Sequence, residues 1–134
     1  MENNSLKIPI RSFRDLEVYR NTYQVMIKVN KEVLLKIPES EKYDLKDQLS
    51  RSSKAIPRLI AEGYAKRHQK FGFQKYLDDA MAECNETIVS LEQCRDLYNV
   101  DKNQIDSLVD IYDKSGRQLY KLSIAWSNFK RRQP

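Results

Sequence analysis

Four segments of this sequence carry apolar or small residues at alternating intervals of three and four, the spacing that lines up one face of an α-helix. The first two sets are Leu16, Tyr19, Tyr23, Met26, Asn30, Val33 and Ile37, and Leu45, Leu49, Ser52, Ile56, Leu59 and Gly63. The other two are Phe73, Leu77, Ala80, Cys84, Thr87, Leu91, Cys94 and Tyr98, and Leu108, Tyr112, Ser115, Leu119, Leu122, Trp126 and Phe129. Alternating β patterning is absent. The repeat predicts four helices that pack along shared seams at shallow crossing angles.

The breaks between these segments are short. Ile37 precedes Pro38, which disfavours helix at the residue before it, and the other breaks fall at 68–72 and 99–101. Short connections between long helices make neighbouring helices antiparallel. The sequence therefore predicts an all-α, antiparallel up-down-up-down four-helix bundle over residues 12–130.

Single residues mark helix ends and one bend. Ser12, with Asp15 three residues on, is a candidate cap for the first helix, and Asp101 is one for the fourth. Pro57 lies inside the second helix, where it lacks an amide proton and its ring crowds the carbonyl of Ser53. We predict that the second helix is kinked at Pro57 and wraps around the core.

Length and composition limit the remaining possibilities. The 134 residues suit one domain, and three glycines and four prolines are too few for a turn-rich β fold. Cys84 and Cys94 would be about 15 Å apart on one helix, too far for a disulfide, so we expect free, buried thiols. Residues 1–11 and 131–134 are predicted to be a flexible N-terminal tail and a basic C-terminal tail. Because no signal peptide or membrane-length apolar run is recognisable, we expect a cytoplasmic protein.

The first helix is apolar over a wide arc. Beside its seam it carries a second stripe, Val18, Thr22, Val25 and Val29. A bundle helix needs one stripe, so the second predicts an interface between copies of the chain. The alternative is a single wide stripe held between two neighbouring helices of the same chain.

Positive charge is concentrated in parts of the chain. Lys and Arg exceed Asp and Glu by five, and residues 46–75 contain eight cations against two acids. Such residues can bind nucleic-acid phosphates through counterion release. The candidate nucleic-acid-binding residues are Arg51, Lys54, Arg58, Lys66, Arg67, Lys70, Lys130, Arg131 and Arg132. We expect the second loop and the C-terminus at opposite ends of the bundle, which would split this surface. The alternative is a solvated charged surface, with Arg58 to Glu62 and Asp47 to Arg51 as ordinary ion pairs four residues apart.

Patterns typical of catalysis are missing. His68 is the only histidine, which excludes a di-iron site built on paired Glu-x-x-His motifs. No Gly-rich phosphate loop, Ser-His-Asp set or Cys-His arrangement occurs. Asp79, Glu83 and Glu86 share one flank of the third helix and could hold a hard divalent cation, but a solvated acidic flank is the favoured interpretation. We therefore predict no catalytic residue, no metal site, no cofactor and no enzymatic activity.

Three polar residues lie just off the seam of the second helix. These are Gln48, Arg51 and Glu62. We predict that they pair within or between subunits and do not form a ligand site.

Three stretches resemble one known family. They are SFRDLEVY at 12–19, EKYDLKDQLSR at 41–51 and AIPRLIAEGY at 55–64. The third helix continues the pattern with Tyr76, Leu77, Ala80, Glu86, Leu91, Asp96 and Leu97. Together they resemble the four-helix-bundle family of 23S rRNA intervening-sequence proteins over residues 12 to about 130. Ala55 and Leu59 depart from the Ser and Asn that the family usually has at these positions.

The resemblance implies a bundle that assembles into a ring, with five subunits, and a basic surface suited to RNA or DNA. It also implies similarity to accessory proteins of diversity-generating retroelements, which partner a reverse transcriptase. Our leading hypothesis is a non-enzymatic, homo-oligomeric protein that binds nucleic acid, with RNA as the expected ligand. The alternative is a protein-interaction scaffold, for example for a reverse transcriptase or a ribosome-associated factor, that does not bind nucleic acid itself. No membrane partner is expected.

Overall fold

The computed structural model describes residues 9–131, with side chains as far as Ser127. Four long helices form the fold: α1 (Glu17–Lys28), α2 (Leu45–Ala65), α3 (Gly72–Tyr98) and α4 (Lys102–Arg131). A π-helical segment (Val29–Val33) and a 3-10 turn (Leu34–Lys36) continue α1, and further 3-10 turns span Phe13–Asp15 and Glu39–Glu41. Residues 9–131 contain no strand. The predicted all-α four-helix fold is confirmed, while the predicted tails lie largely outside the described residues.

Capping side chains define where two of the elements begin. The Ser12 hydroxyl accepts a hydrogen bond from the Arg14 amide (3.2 Å), and the Asp15 carboxylate accepts one from the Ser12 amide (3.0 Å). This capping box closes the turn Phe13–Asp15, so it lies one short element before α1. The Asp101 carboxylate accepts hydrogen bonds from the amides two and three residues on, which caps α4 as predicted.

Contacts between helices fix how they run relative to each other. On α2 and α3, the Ser52 and Thr87 hydroxyls are 2.8 Å apart, and Lys66 Nζ donates to the Tyr76 hydroxyl at 2.7 Å. Residue numbers therefore rise along α2 as they fall along α3, and these two neighbours run in opposite directions. α3 packs mainly on α2 and α4, and α1 lies against α2 and α4.

The second loop and the C-terminal part of α4 lie at the same end of the bundle. The ring of Phe73, just after that loop, meets the ring of Trp126 edge-on, with centroids 5.2 Å apart. Our expectation of opposite ends was wrong, because two helices separate these points: α3 leads away from this end and α4 returns to it. α4 then continues to Arg131.

The stripe of α1 that we assigned to an oligomer interface belongs to the core of the single chain. Val18, Thr22, Val25 and Val29 are between 0 and 4% exposed. The Thr22 hydroxyl donates to the Val18 carbonyl at 2.8 Å, so its polar group is satisfied within the helix. This corrects the interface assignment: these four residues pack inside the single chain, where α1 lies against α2 and α4, while the neighbouring flank with Tyr23 is partly exposed.

The π-helical segment explains why the sequence pattern predicted the wrong buried face for the first helix. In a π turn, hydrogen bonds reach five residues back, so the helix rotates less per residue than an α-helix. Val25, Val29, Val33 and Ile37, each four apart, can then stay on one face, and all are buried. The α-helical spacing used on the sequence instead selected the flank that carries Tyr19 and Tyr23.

Asn30 joins this segment to α2. Its amide nitrogen donates to the Met26 carbonyl (2.8 Å) and to the Ser53 hydroxyl (3.1 Å), and its carbonyl oxygen accepts from the Ser50 hydroxyl (2.9 Å). A polar seam residue is thus a link between two helices, which fixes their register.

α2 passes closely over α3 and continues through its proline. A Cβ atom on Gly63 would stand 2.6 Å from the Tyr76 Cβ and 3.1 Å from a Phe73 ring carbon, so only glycine allows this approach. Pro57 lies inside the uninterrupted helix, with its side chain buried. The kink at Pro57 stays a prediction.

Candidate nucleic-acid interface

α2 presents three cations to solvent on one side of the bundle. Arg51, Lys54 and Arg58 are spaced by three and four residues, which places them along one helical face, and all three are exposed. The opposite side of α2, with Leu49, Ile56 and other apolar residues, is in the core. The amphipathic pattern that buries α2 therefore also turns these three cations outward.

The three cations differ in how well they are neutralised. Arg51 Nε is 3.8 Å from Asp47, and the positive charge of Arg51 also acts on Glu83 of α3. Within the described side chains, Lys54 and Arg58 make no hydrogen bond or ion pair. Two positive charges of α2 are therefore available to an anionic ligand without breaking an existing contact.

Cations at the end of the bundle where α3 passes to α4 are paired with carboxylates. Arg95 bonds Asp96 at 2.7 Å and Asp106 of α4 at 2.8 Å, and Lys102 bonds Asp106 at 2.7 Å. The guanidinium of Arg95 lowers the pKa of Asp96 through a hydrogen bond, and Lys102 and Arg95 together lower that of Asp106. These pairs link α3 to α4, and they neutralise Arg95 and Lys102.

A second basic group lies where α2 ends. Lys66 Nζ lies over the Tyr76 ring and donates to its hydroxyl, which raises the pKa of Lys66. Arg67 is half-buried over the Tyr64 ring and donates to the Tyr64 carbonyl, so it also closes the helix end. Lys70, in the loop, is exposed beside the Phe71 ring. This end combines positive charge with aromatic rings.

Two of the candidate residues, Lys130 and Arg131, are the last residues of α4, and Arg132 lies outside the described residues. The side chains of Lys130, Arg131 and Arg132 lie outside the described part of the chain. The α4 backbone up to Arg131 follows Trp126, which contacts Phe73 beside the second loop. The structure therefore brings the end of α4 towards the Lys66 to Lys70 group, where the sequence predicted separation.

A groove between α1 and α2 joins aromatic rings to the two unpaired cations. We call it the α1–α2 groove; it encloses about 370 Å³ and is lined by Phe13, Tyr19, Tyr23, Met26, Lys54, Pro57, Arg58 and Ala61. Tyr23 is 44% exposed. Sequence reasoning missed this groove because the α-helical spacing placed Tyr19, Tyr23 and Met26 in the core seam. Tyr19, Tyr23 and Met26, spaced by four and three on α1, are the signal that could have found it.

The acidic flank of α3 does not gather into a metal site. Among the described side chains, no group of three or more His, Cys, Asp or Glu residues is arranged to hold a metal ion. Partial burial raises the pKa of Glu83, and the negative charges of Glu86 and Asp79 add to this while Arg51 opposes it. Asp79, Glu83 and Glu86 are therefore best described as a charged flank next to α2.

Both cysteines are free and buried, as predicted. Burial raises the pKa of Cys84 to about 12 and that of Cys94 to about 11. Nucleophilic chemistry needs the thiolate, which is scarce at such values. The two thiols act as core residues of α3.

Two of the three polar residues beside the α2 seam pair within the chain. Gln48 donates to Asp44 at 3.1 Å, and Arg51 pairs with Asp47. Glu62 lies near Lys66, whose pKa its charge raises. The prediction that Gln48 and Arg51 pair with protein groups is confirmed within a single chain.

The fold and this surface define a class of protein: a small all-α bundle with a basic helix face and an aromatic groove beside it. The chain belongs to the 23S rRNA-intervening sequence protein family, whose family model matches residues 14–121. No curated protein matches it. No helix between residues 9 and 131 is long and apolar enough to cross a membrane.

One solved structure similar to this chain supports the fold. It is the crystal structure of a protein with unknown function from the S23 ribosomal protein family from Bacteroides thetaiotaomicron VPI-5482. The two chains are 19% identical and superpose with a TM-score of 0.70, covering 79% of this chain and 94% of the other. At this identity the likeness concerns the arrangement of the helices.

Proposed function

We propose that this protein is a non-enzymatic, oligomeric nucleic-acid-binding protein of the cytoplasm, with RNA as its expected ligand. The observation that carries the proposal is the unequal neutralisation of charge. Lys54 and Arg58 make no ion pair within the described side chains, whereas Arg95, Lys102 and Lys46 are each bonded to a carboxylate. A phosphate bound by Lys54 or Arg58 displaces only counterions, which favours association.

The extent of the basic surface also supports binding to a polyanion. Arg58 and Lys66 are eight residues apart on α2, about 12 Å along the helix axis. The basic residues of α2 and the second loop therefore extend over a length that several successive phosphates could span. Oligomerisation would repeat this surface, and repeated weak contacts add up through multivalency.

The test uses a structured RNA labelled for fluorescence anisotropy and a double variant, Lys54→Gln/Arg58→Gln. We expect binding by the wild type at low salt and at least a tenfold weaker binding by the variant, because a phosphate that stays unbound releases no counterions. Light scattering under the same conditions gives the size of the assembly. Absence of wild-type binding even at low salt would contradict the proposal.

A scaffold that binds another protein is the second candidate, favoured by exposed apolar residues elsewhere. Tyr120 and Ile124 lie one turn apart on α4 and are 59% and 46% exposed, and Leu97 is 64% exposed. Exposed apolar neighbours often mark contact surfaces. If Tyr120→Ser/Ile124→Ser changes the assembly size while RNA binding by the wild type is absent, the scaffold becomes the better description.

A further inference from the structure

We propose that the α1–α2 groove holds an unpaired base of a single-stranded nucleic acid, stacked on Tyr23, while Lys54 and Arg58 contact the adjoining phosphates. The inference rests on the proposed function and narrows it, because it specifies single strands with accessible bases. The inference is based on two features of one groove. It exposes an aromatic ring, and its two cations form no ion pair with a carboxylate among the described side chains.

The aromatic wall is a run of three rings. Phe13 meets Tyr19 edge-on, with centroids 4.8 Å apart, and Tyr19 is followed by Tyr23 at 5.9 Å and an interplanar angle of 34°. The edge-on contact and the packing of Tyr19 against the core hold the inner rings in place. Tyr23, at the outer end of the run and 44% exposed, is the ring that a base can cover.

The facing wall comes from α2 and carries the charge. Lys54 and Arg58 are four residues apart, about 6 Å along the helix, and the groove between them and the rings is lined by Pro57 and Ala61. These two small or rigid residues leave room for a flat ligand. An aromatic platform flanked by cations is the usual arrangement for binding single strands, where a base stacks and the backbone is held by charge.

A single-stranded nucleic acid supplies both a base for the exposed ring and phosphates for the two cations. In a duplex the base faces are covered by their neighbours, so a duplex would contact the cations and leave Tyr23 unused. An apolar segment of another protein would cover the ring, but it would also bury two cations without supplying anions. The volume of about 370 Å³ is within the range of pockets that hold small organic groups.

The experiment compares a labelled single-stranded RNA with a duplex of the same length, both titrated with Tyr23→Ala, Tyr23→Phe and the wild type. Losing one stacked base should weaken single-strand binding roughly 5- to 150-fold for Tyr23→Ala, and leave duplex binding within about twofold. Tyr23→Phe keeps the ring and should bind like the wild type. Tyr43→Ala is the control, since Tyr43 is 87% exposed and lies outside the groove.

Other outcomes overturn the inference in distinguishable ways. If Tyr23→Ala binds single strands as tightly as the wild type, or loses duplex binding equally, no base stacks on Tyr23 and only this inference fails. The same holds if the wild type binds only duplex. A change of assembly size in light scattering of Tyr23→Ala would make the groove an interface between copies. If the wild type binds neither nucleic acid, the proposed function fails as well.

Discussion

Two glycines inside helices show how much a single position can differ in its surroundings. At Gly63, an added Cβ would overlap the Tyr76 Cβ at 2.6 Å, because α2 and α3 approach most closely there. At Gly116, in the middle of α4, an added Cβ would meet no atom within 4 Å. The same residue type therefore has a packing role in α2 and only a conformational cost in α4.

This difference predicts opposite effects of the same substitution. Gly63→Ala should lower the free energy of unfolding by about 1–3 kcal/mol, because α3 must move to admit the methyl group. Gly116→Ala should raise it by about 0.5–1 kcal/mol, since alanine favours the helix and nothing obstructs it. Urea unfolding at one fixed protein concentration measures both. Equal effects of the two variants would show that the close approach at Gly63 is not tight.

Charged residues were identified from the sequence, but of their partners only Asp47, four residues before Arg51, was predicted correctly. Composition gives Lys54 and Arg95 the same weight, yet Arg95 is held by Asp96 and Asp106 and Lys54 is not held within the described side chains. The partner Asp106 is eleven residues away on the next helix, beyond the reach of four-residue spacing rules. The candidate site could therefore be predicted as a list of cations and not as a ranking among them.

At the scale of the elements, α1 shows where spacing rules fail. The positions of the four helices and the caps at Ser12 and Asp101 could be predicted, because local residues determine them. The buried face of α1 could not, since the π-helical segment Val29–Val33 changes the rotation per residue. That segment is stabilised by tertiary contacts, including those of Asn30 with α2. The error moved four residues from the core to a supposed interface.

The corrected register of α1 can be tested with two truncations on neighbouring faces. Val25 is 2% exposed and Ile27 is 37% exposed. Val25→Ala should lower the free energy of unfolding by about 1–3 kcal/mol, because the smaller side chain leaves a cavity in the core. The folded variant should form assemblies of the same size as the wild type. Ile27→Ala, at a more exposed position, should have a smaller effect, less than about 1 kcal/mol. Chemical unfolding measures the loss of stability, and light scattering measures the assembly size. If Val25→Ala dissociates into folded monomers, Val25 lies in an interface between subunits and not in the core.

At the scale of the whole molecule, the course of the helices decides where charge accumulates. Because α3 leads away from the second loop and α4 returns, the basic loop and the end of α4 share one end of the bundle. The acid–base pairs of Arg95, Asp106 and Lys102 lie where α3 passes to α4. The net charge of +5 is therefore less informative than which cations are paired: Arg95 and Lys102 are bonded to carboxylates, whereas Lys54 and Arg58 make no ion pair within the described side chains.

The central claim is that the unpaired cations of α2, and not net charge, bind nucleic acid. The most direct measurement is the slope of log K against log salt concentration for a labelled single-stranded RNA. Lys54→Gln/Arg58→Gln should reduce the steepness by about 1.4, close to 0.7 for each phosphate that the variant no longer binds. The control Lys46→Gln/Lys102→Gln removes the same charge from residues that are bonded to Glu39 and Asp106, and it should keep the wild-type slope. An equal reduction in both double variants would contradict the claim, because binding would then follow overall charge alone.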